Sequence, residues 1–232
     1  MVSATQSCDR GQPPELLTLQ SRLGGNITES KRKNSKWRRE WRLVVGARSH
    51  VERALKIVKK YGIIKKIQAH VALDYLDSGK VDAEKAILRL SEAKKNYSSV
   101  SIDRIAITPA YMAGLFAAEG TVALLFTGRS YSLRAAIRQN GCQPLLGEIK
   151  ENLGYGCLSK EGKIQFSGTS AISFLGLISP HMLRCQKRKQ VRLALQYVKE
   201  LRPMQRHGTP LSKELKAKID KIARKIAKLK RI

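Results

Sequence analysis

Two stretches of the chain repeat one rhythm of apolar and polar positions. "LLTLQSRLGGNI" (16–27) and "LLGEIKENLGYGCL" (145–158) place leucine or isoleucine at helical spacing and then stop at Leu-Gly. Leu16, Leu19, Leu23 and Gly24 stand against Leu146, Ile149, Leu153 and Gly154, and glycine suits the left-handed residue that ends a helix. The alternation in "EWRLVVGA" and "KIQFSGTS" predicts strands. "KKIQAHVALDYL" (65–76) and "KRKQVRLALQYV" (187–198) each set a basic pair, a glutamine and an amphipathic helix, with Ala and Tyr in matching places. The repeated unit reads strand, helix, hairpin, helix, helix, in two copies roughly 120 residues apart.

The second copy is longer at its start. It alone has the helix "AITPAYMAGLFAAEG", followed by "TVALLFTGRSYSLRAAIRQ", a β-hairpin turning at Gly128. The first copy opens at "VSATQ", which matches only the last strand of that hairpin. The organisation that follows is a first repeat over 1–78, a charged linker over 79–106 with a helix at about 82–94, a second repeat over 107–203 and a basic amphipathic helix over 204–232. In that last segment a Thr-Pro pair signals the start. Leu211, Leu215, Ile219, Ile222, Ile226 and Leu229 then form one stripe opposite a Lys/Arg face. Such a helix is expected to dock on the domain rather than on a membrane, with a nucleic-acid arm as the alternative.

Charge changes the picture more than size does. With 42% apolar residues the chain can build a packed core, yet Lys plus Arg number 45 against 18 acids, a net charge of +27. A surface so basic suits a polyanion, because each cation placed on a phosphate releases condensed counterions. Charge names the partner class and leaves the activity open. Cys8, Cys142, Cys157 and Cys185 lie far apart, without C-x-x-C or paired histidine spacing. That argues against a zinc site and fits an intracellular chain, whether of organellar, nuclear or viral origin. No apolar run approaches the roughly 20 residues of a membrane span, and "MVSATQSCDRG" lacks the apolar core of a signal peptide.

"MAGLFAAEG" (112–120) resembles the motif of the LAGLIDADG homing endonucleases almost letter for letter, with Met112 in place of the first leucine and Ala117 in place of the first acid. The resemblance extends to the repeat order, the Leu-Gly stop and the K-x-x-Q helix start, and it covers about residues 2–202. It implies a mixed α/β (α+β) fold, a pseudo-two-fold saddle of two αββαββα-type repeats acting as a monomer. Ala113, Gly114, Ala117 and Ala118 would let two motif helices approach closely. Glu119 would hold a divalent metal, Mg²⁺, with Gly120 beside it letting the chain turn from helix into strand. Gln6 and Gln139 match the family's polar position at a strand end, and Lys65 and Lys187 its lysine before the last helix. The implied roles are ordering water around the metal and stabilising transition-state charge; a solvated strand end and a phosphate-holding lysine are the plainer readings of the same residues.

Double-stranded DNA is the implied partner, read by strands in the major groove. Lys31, Arg32, Lys33, Lys36, Arg38 and Arg39 fall at the tip of the first repeat's second hairpin, and Arg129, Arg134 and Arg138 on or beside the second repeat's hairpin. All are expected to position the phosphate backbone. The function implied is a site-specific DNA endonuclease of homing type, hydrolysing phosphodiesters with Mg²⁺. The alternative is an intron maturase or an inactive DNA- or RNA-binding remnant that keeps the surface without the hydrolysis. A ribosome-associated protein would account for the charge but not for the repeat. One departure bears on activity: the first repeat opens beyond the place of a motif helix, so the reading includes an N-terminally truncated first copy and impaired cutting.

Overall fold

The chain folds as two compact units, residues 1–106 and 107–232. The computed structural model describes residues 1–7, 11–30, 39–79, 82–95, 107–139, 142–183, 185–205 and 209–230. Lys31, Arg32, Lys33, Lys36 and Arg38 lie outside these.

The first unit runs β1 (Val2–Ser7), α1 (Pro14–Leu23), β2 (Asn26–Ser30), β3 (Glu40–Val45), α2 (Arg48–Tyr61), α3 (Lys66–Asp77) and α4 (Ala83–Lys95). Its antiparallel sheet has the order β1-β3-β2. Side chains alternate across a strand, so one face carries Val2, Ala4, Ile27, Leu43 and Val45 toward Leu16 of α1, Val51 and Leu55 of α2, and Ala69 and Leu73 of α3.

The second unit runs α5 (Pro109–Glu119), β4 (Gly120–Phe126), β5 (Tyr131–Arg138), α6 (Gln143–Leu153), β6 (Cys157–Ser159), β7 (Lys163–Ser167), α7 (Thr169–Ile178), α8 (Gln186–Glu200) and α9 (Lys213–Lys230). The sheet order is β4-β5-β7-β6, all antiparallel. Its core is aromatic. The Phe166 and Phe174 rings stack at 4.2 Å, and Phe116 of α5 meets Phe174 edge-on at 5.5 Å.

The series β5-α6-β6-β7-α7-α8 repeats β1-α1-β2-β3-α2-α3 in order and in strand pairing. Ala4 faces Leu43 as Ile137 faces Ile164. Val51, Ala54, Leu55 and Val58 repeat the i, i+3, i+4, i+7 spacing of Ala171, Phe174, Leu175 and Ile178, the face a helix turns to a sheet. The two Leu-Gly stops share a positive φ but not a conformation. Gly154 is left-handed at φ 72, ψ 3, whereas Gly24 sits at φ 71, ψ −165, where a Cβ would strike the His50 ring at 2.5 Å.

Two expectations shift. The strand in "KIQFSGTS" ends at Ser167 and α7 begins at Thr169, because the Ser170 hydroxyl takes the Ser167 N–H at 3.0 Å and turns the chain. α9 starts at Lys213 rather than at Thr-Pro, since Ser212 caps it by accepting from the Leu215 N–H at 3.2 Å. α9 docks on α8 and β4, with Ile219 and Ile226 buried, while α4 packs on α3 in the first unit. None of the described helices is long and apolar enough to cross a membrane.

Candidate active site and nucleic-acid interface

The helix α5 is fixed at its start. The Asn152 side chain donates to the Ile107 carbonyl at 3.0 Å, and the Thr108 hydroxyl caps the first turn by accepting from the Tyr111 N–H at 3.1 Å. Pro109, with φ preset, opens the helix. Met112, Ala113 and Phe116 point inward and are buried; Gly114, Ala118 and Glu119 are exposed. Burial pushes the half-buried Tyr111 phenol up to about 12, with Cys142 adding to the effect.

At the helix end, Glu119 and Gly120 have separate tasks. Gly120 is extended (φ −77, ψ 156), a conformation open to any residue, so glycine is not there for the turn itself. It is there for space: a Cβ would lie 2.3 Å from the Phe116 carbonyl oxygen and 2.4 Å from its ring. The close approach lets the Gly120 N–H close the helix on that carbonyl and leaves the Gly120 carbonyl turned to Lys187, whose ammonium donates to it at 2.5 Å. Lys187 stands in the first turn of α8, where Cys185 caps by accepting from the Arg188 N–H at 3.2 Å. An exposed carboxylate and a backbone oxygen gripped by an ammonium therefore meet where α5 becomes β4.

From that point the sheet spreads with one polar face. Register places Thr121 beside Ala136, Ala136 beside Gln165 and Gln165 beside Cys157. One step along lie Arg134 between Ala123 and Ser167, and Arg138 beside Lys163. The opposite face, with Val122, Leu133, Ile137, Ile164 and Phe166, is buried. Lys163 donates to the Gln165 side-chain oxygen at 3.0 Å, fixing a row of donors along β7. Arg138 pairs with Glu161 at 3.5 Å, but both side chains are exposed, so the pair is weak and easily exchanged for a phosphate. Behind the sheet, the Tyr131 phenol donates to Asp220 of α9 and is pushed up to about 12, by burial first and then by that carboxylate. Tyr197 donates to the Tyr131 carbonyl at 2.9 Å and accepts from Gln205 at 2.6 Å.

No protein-family model and no curated protein sequence matches the chain. Solved structures do. The meganuclease I-SmaMI, bound to uncleaveable DNA with a TTCT central four, aligns over 95% of this chain and 85% of its own with a TM-score of 0.67 at 14% identity. The LAGLIDADG meganuclease I-AabMI, bound to uncleaved DNA, aligns over 96% and 88% with a TM-score of 0.65 at 15% identity. The chain has the fold of the LAGLIDADG meganucleases.

Within this LAGLIDADG fold the nominated residues separate. Glu119, Gly120 and Lys187 come together in the second unit. Gln139 follows β5, half-buried, its N–H on the Gly162 carbonyl at 2.9 Å. Lys65 is the exposed residue just before α3, and Gln6 lies half-buried on β1 opposite Trp41, on the face of Val2 and Ala4. Arg134 and Arg138 belong to the polar face. Arg129 sits instead in the exposed turn before β5, beside a cavity of about 820 Å³ that Tyr197 also lines. Arg39, just ahead of β3, lies 3.8 Å from Glu29. Of the small residues, Ala113 is core in its own unit, and Gly114 and Ala118 are the exposed ones. Lys163 and Gln165 share that polar face, a placement that the alternation of "KIQFSGTS" already carries although the charge pattern does not single them out.

The donors at the helix end suit a hard cation. Among the described residues no three of His, Cys, Asp and Glu cluster. The Glu119 carboxylate and the Gly120 carbonyl are hard oxygens of the kind Mg²⁺ takes alongside waters and phosphates.

Proposed function

We propose that the chain is a site-specific double-stranded DNA endonuclease of homing type that works with Mg²⁺, binding as a monomer. The observation that carries this reading is the exposed Glu119 at the α5–β4 junction, beside the Lys187–Gly120 contact and at the edge of a polar sheet face with Arg134, Arg138 and Lys163. The fold is that of proteins bound to DNA. On duplex DNA the arginines and Lys163 take phosphates, and Gln165, held by Lys163, offers its amide to base edges. Glu119 and the Gly120 carbonyl would hold the ion, and Lys187, already on that carbonyl, would fix its direction and add positive charge for a phosphate. Bound there, Mg²⁺ would supply Lewis-acid activation of water and neutralise charge on the phosphoryl oxygens.

Glu119→Gln tests the assignment by keeping shape and removing charge. Selected from a random duplex library, bound targets should be cut by the wild-type chain in Mg²⁺, however slowly, and not by the variant, whose affinity stays within about twofold, under 0.5 kcal/mol. Cleavage by the variant would remove Glu119 from the site. Binding without Mg²⁺-dependent cutting by the wild-type chain would favour the maturase or binding-only reading.

A further inference from the structure

We infer that Lys163, Gln165 and Ser167 form a hydrogen-bond chain along β7 that runs one way, presents donors to the duplex and selects guanine. That selection rests on the DNA-endonuclease reading above and adds the base that this face prefers. The three residues alternate with the buried Ile164 and Phe166, so they share the polar face of the sheet. Lys163 donates to the Gln165 side-chain oxygen at 3.0 Å, and the Gln165 amide nitrogen donates to the Ser167 hydroxyl at 3.4 Å. An ammonium carries donors and no acceptor, so the amide has to turn its oxygen to Lys163 and its nitrogen away. The order of the chain follows from that one cation. Ser167 is held in turn: its N–H donates to the Ser170 hydroxyl at 3.0 Å, and that hydroxyl donates to the Ser167 carbonyl at 2.9 Å.

With the chain made, the ammonium, the amide nitrogen and the hydroxyl each keep a hydrogen to donate. On either side of Gln165 stand Ala136 and Cys157, whose side chains bring no oxygen or nitrogen to compete for the amide. None of the strands β4, β5, β6 and β7 carries an acid. Such a row meets acceptors well and amino groups badly. In the major groove guanine offers acceptors at N7 and O6, whereas adenine and cytosine each turn an amino group outward. A glutamine ordinarily takes adenine through its oxygen and nitrogen together. Here the oxygen is committed, and an adenine amino group brought to it would meet the ammonium. The fold does not impose this polarity. In the first unit Arg42 and Val44 stand on β3 where Lys163 and Gln165 stand on β7, and Arg42 lies 3.5 Å from a carboxylate, Glu40.

Binding sites selected from a random duplex library without Mg²⁺ test the preference, the Gln165 column being the one whose preference Gln165→Ala erases. In the wild-type chain guanine should exceed each other base there by at least about fivefold. Lys163→Met frees the amide oxygen and should move the column toward adenine, changing the guanine-to-adenine ratio by about tenfold. Lys163→Arg keeps the donors and should keep guanine. Three results would overturn the inference while the endonuclease reading stands: no column lost in Gln165→Ala, a wild-type column in another base, or a ratio that Lys163→Met leaves unmoved. Selection of no motif at all by the wild-type chain would overturn both.

Discussion

The two units share a plan and differ in how it is closed. In residues 107–232 the sheet has four strands, α5 and α9 cover it, and Phe116, Phe166, Phe174 and Tyr197 are fully buried. Among the described residues of 1–106 the sheet has three, the core is aliphatic, and Leu43 is the one large side chain so completely buried. A repeated order of elements therefore does not make equal domains. What separates them is the number of elements stacked on each face, and with it the apolar area withdrawn from water.

Stability offers the largest test of that contrast. Phe174→Ala removes a ring that touches two others and should cost about 3–5 kcal/mol in the second unit. Both tryptophans, Trp37 and Trp41, lie in the first unit, so fluorescence reports there while far-UV dichroism sees the whole chain. In urea the tryptophan transition should come first in the wild type, and Phe174→Ala should bring the dichroism transition down to meet it. A single coincident transition in the wild type would erase the distinction.

A smaller effect is expected with pH. The Tyr131 and Tyr111 phenols stand at about 12 in the folded state against an ordinary 10.0, Tyr131 through burial and Asp220, Tyr111 through burial and Cys142. Folding favours the protonated phenol, so this stabilisation is fully present below about pH 10 and is lost as pH rises toward 12. The dichroism midpoint should therefore fall between about pH 9 and about pH 11, and Tyr131→Phe should flatten part of that fall. An unchanged slope in Tyr131→Phe would show that the phenol is not the group responsible.

Much of the fold was legible because its signals are local. Leu23-Gly24 and Leu153-Gly154 mark helix ends whatever packs on them, and "MAGLFAAEG" announces a helix that stops at Glu119. Other features depend on contacts distant in sequence. Gly120 reads as a turn residue, yet its requirement is the 2.3 Å approach to the Phe116 carbonyl. Lys187 was nominated through a resemblance, but its partner, the Gly120 carbonyl, lies 67 positions away. That α4 and α9 hold matching places could not be read from "SGKVDAEKAILRLSEAKK" and "LSKELKAKIDKIARKIAK", because their roles are set by α3 and α8.

The claim on which the functional account rests is that the polar face of β4, β5 and β7 takes the DNA backbone. Its most direct test is the salt dependence of duplex affinity, compared between the wild-type chain and Arg134→Ala/Arg138→Ala/Lys163→Ala. Each lost phosphate contact should reduce the slope of log affinity on log salt by about 0.9, so the triple variant should be shallower by about 2–3 with its urea transitions unmoved. An unchanged slope would contradict the account and place the DNA on another surface.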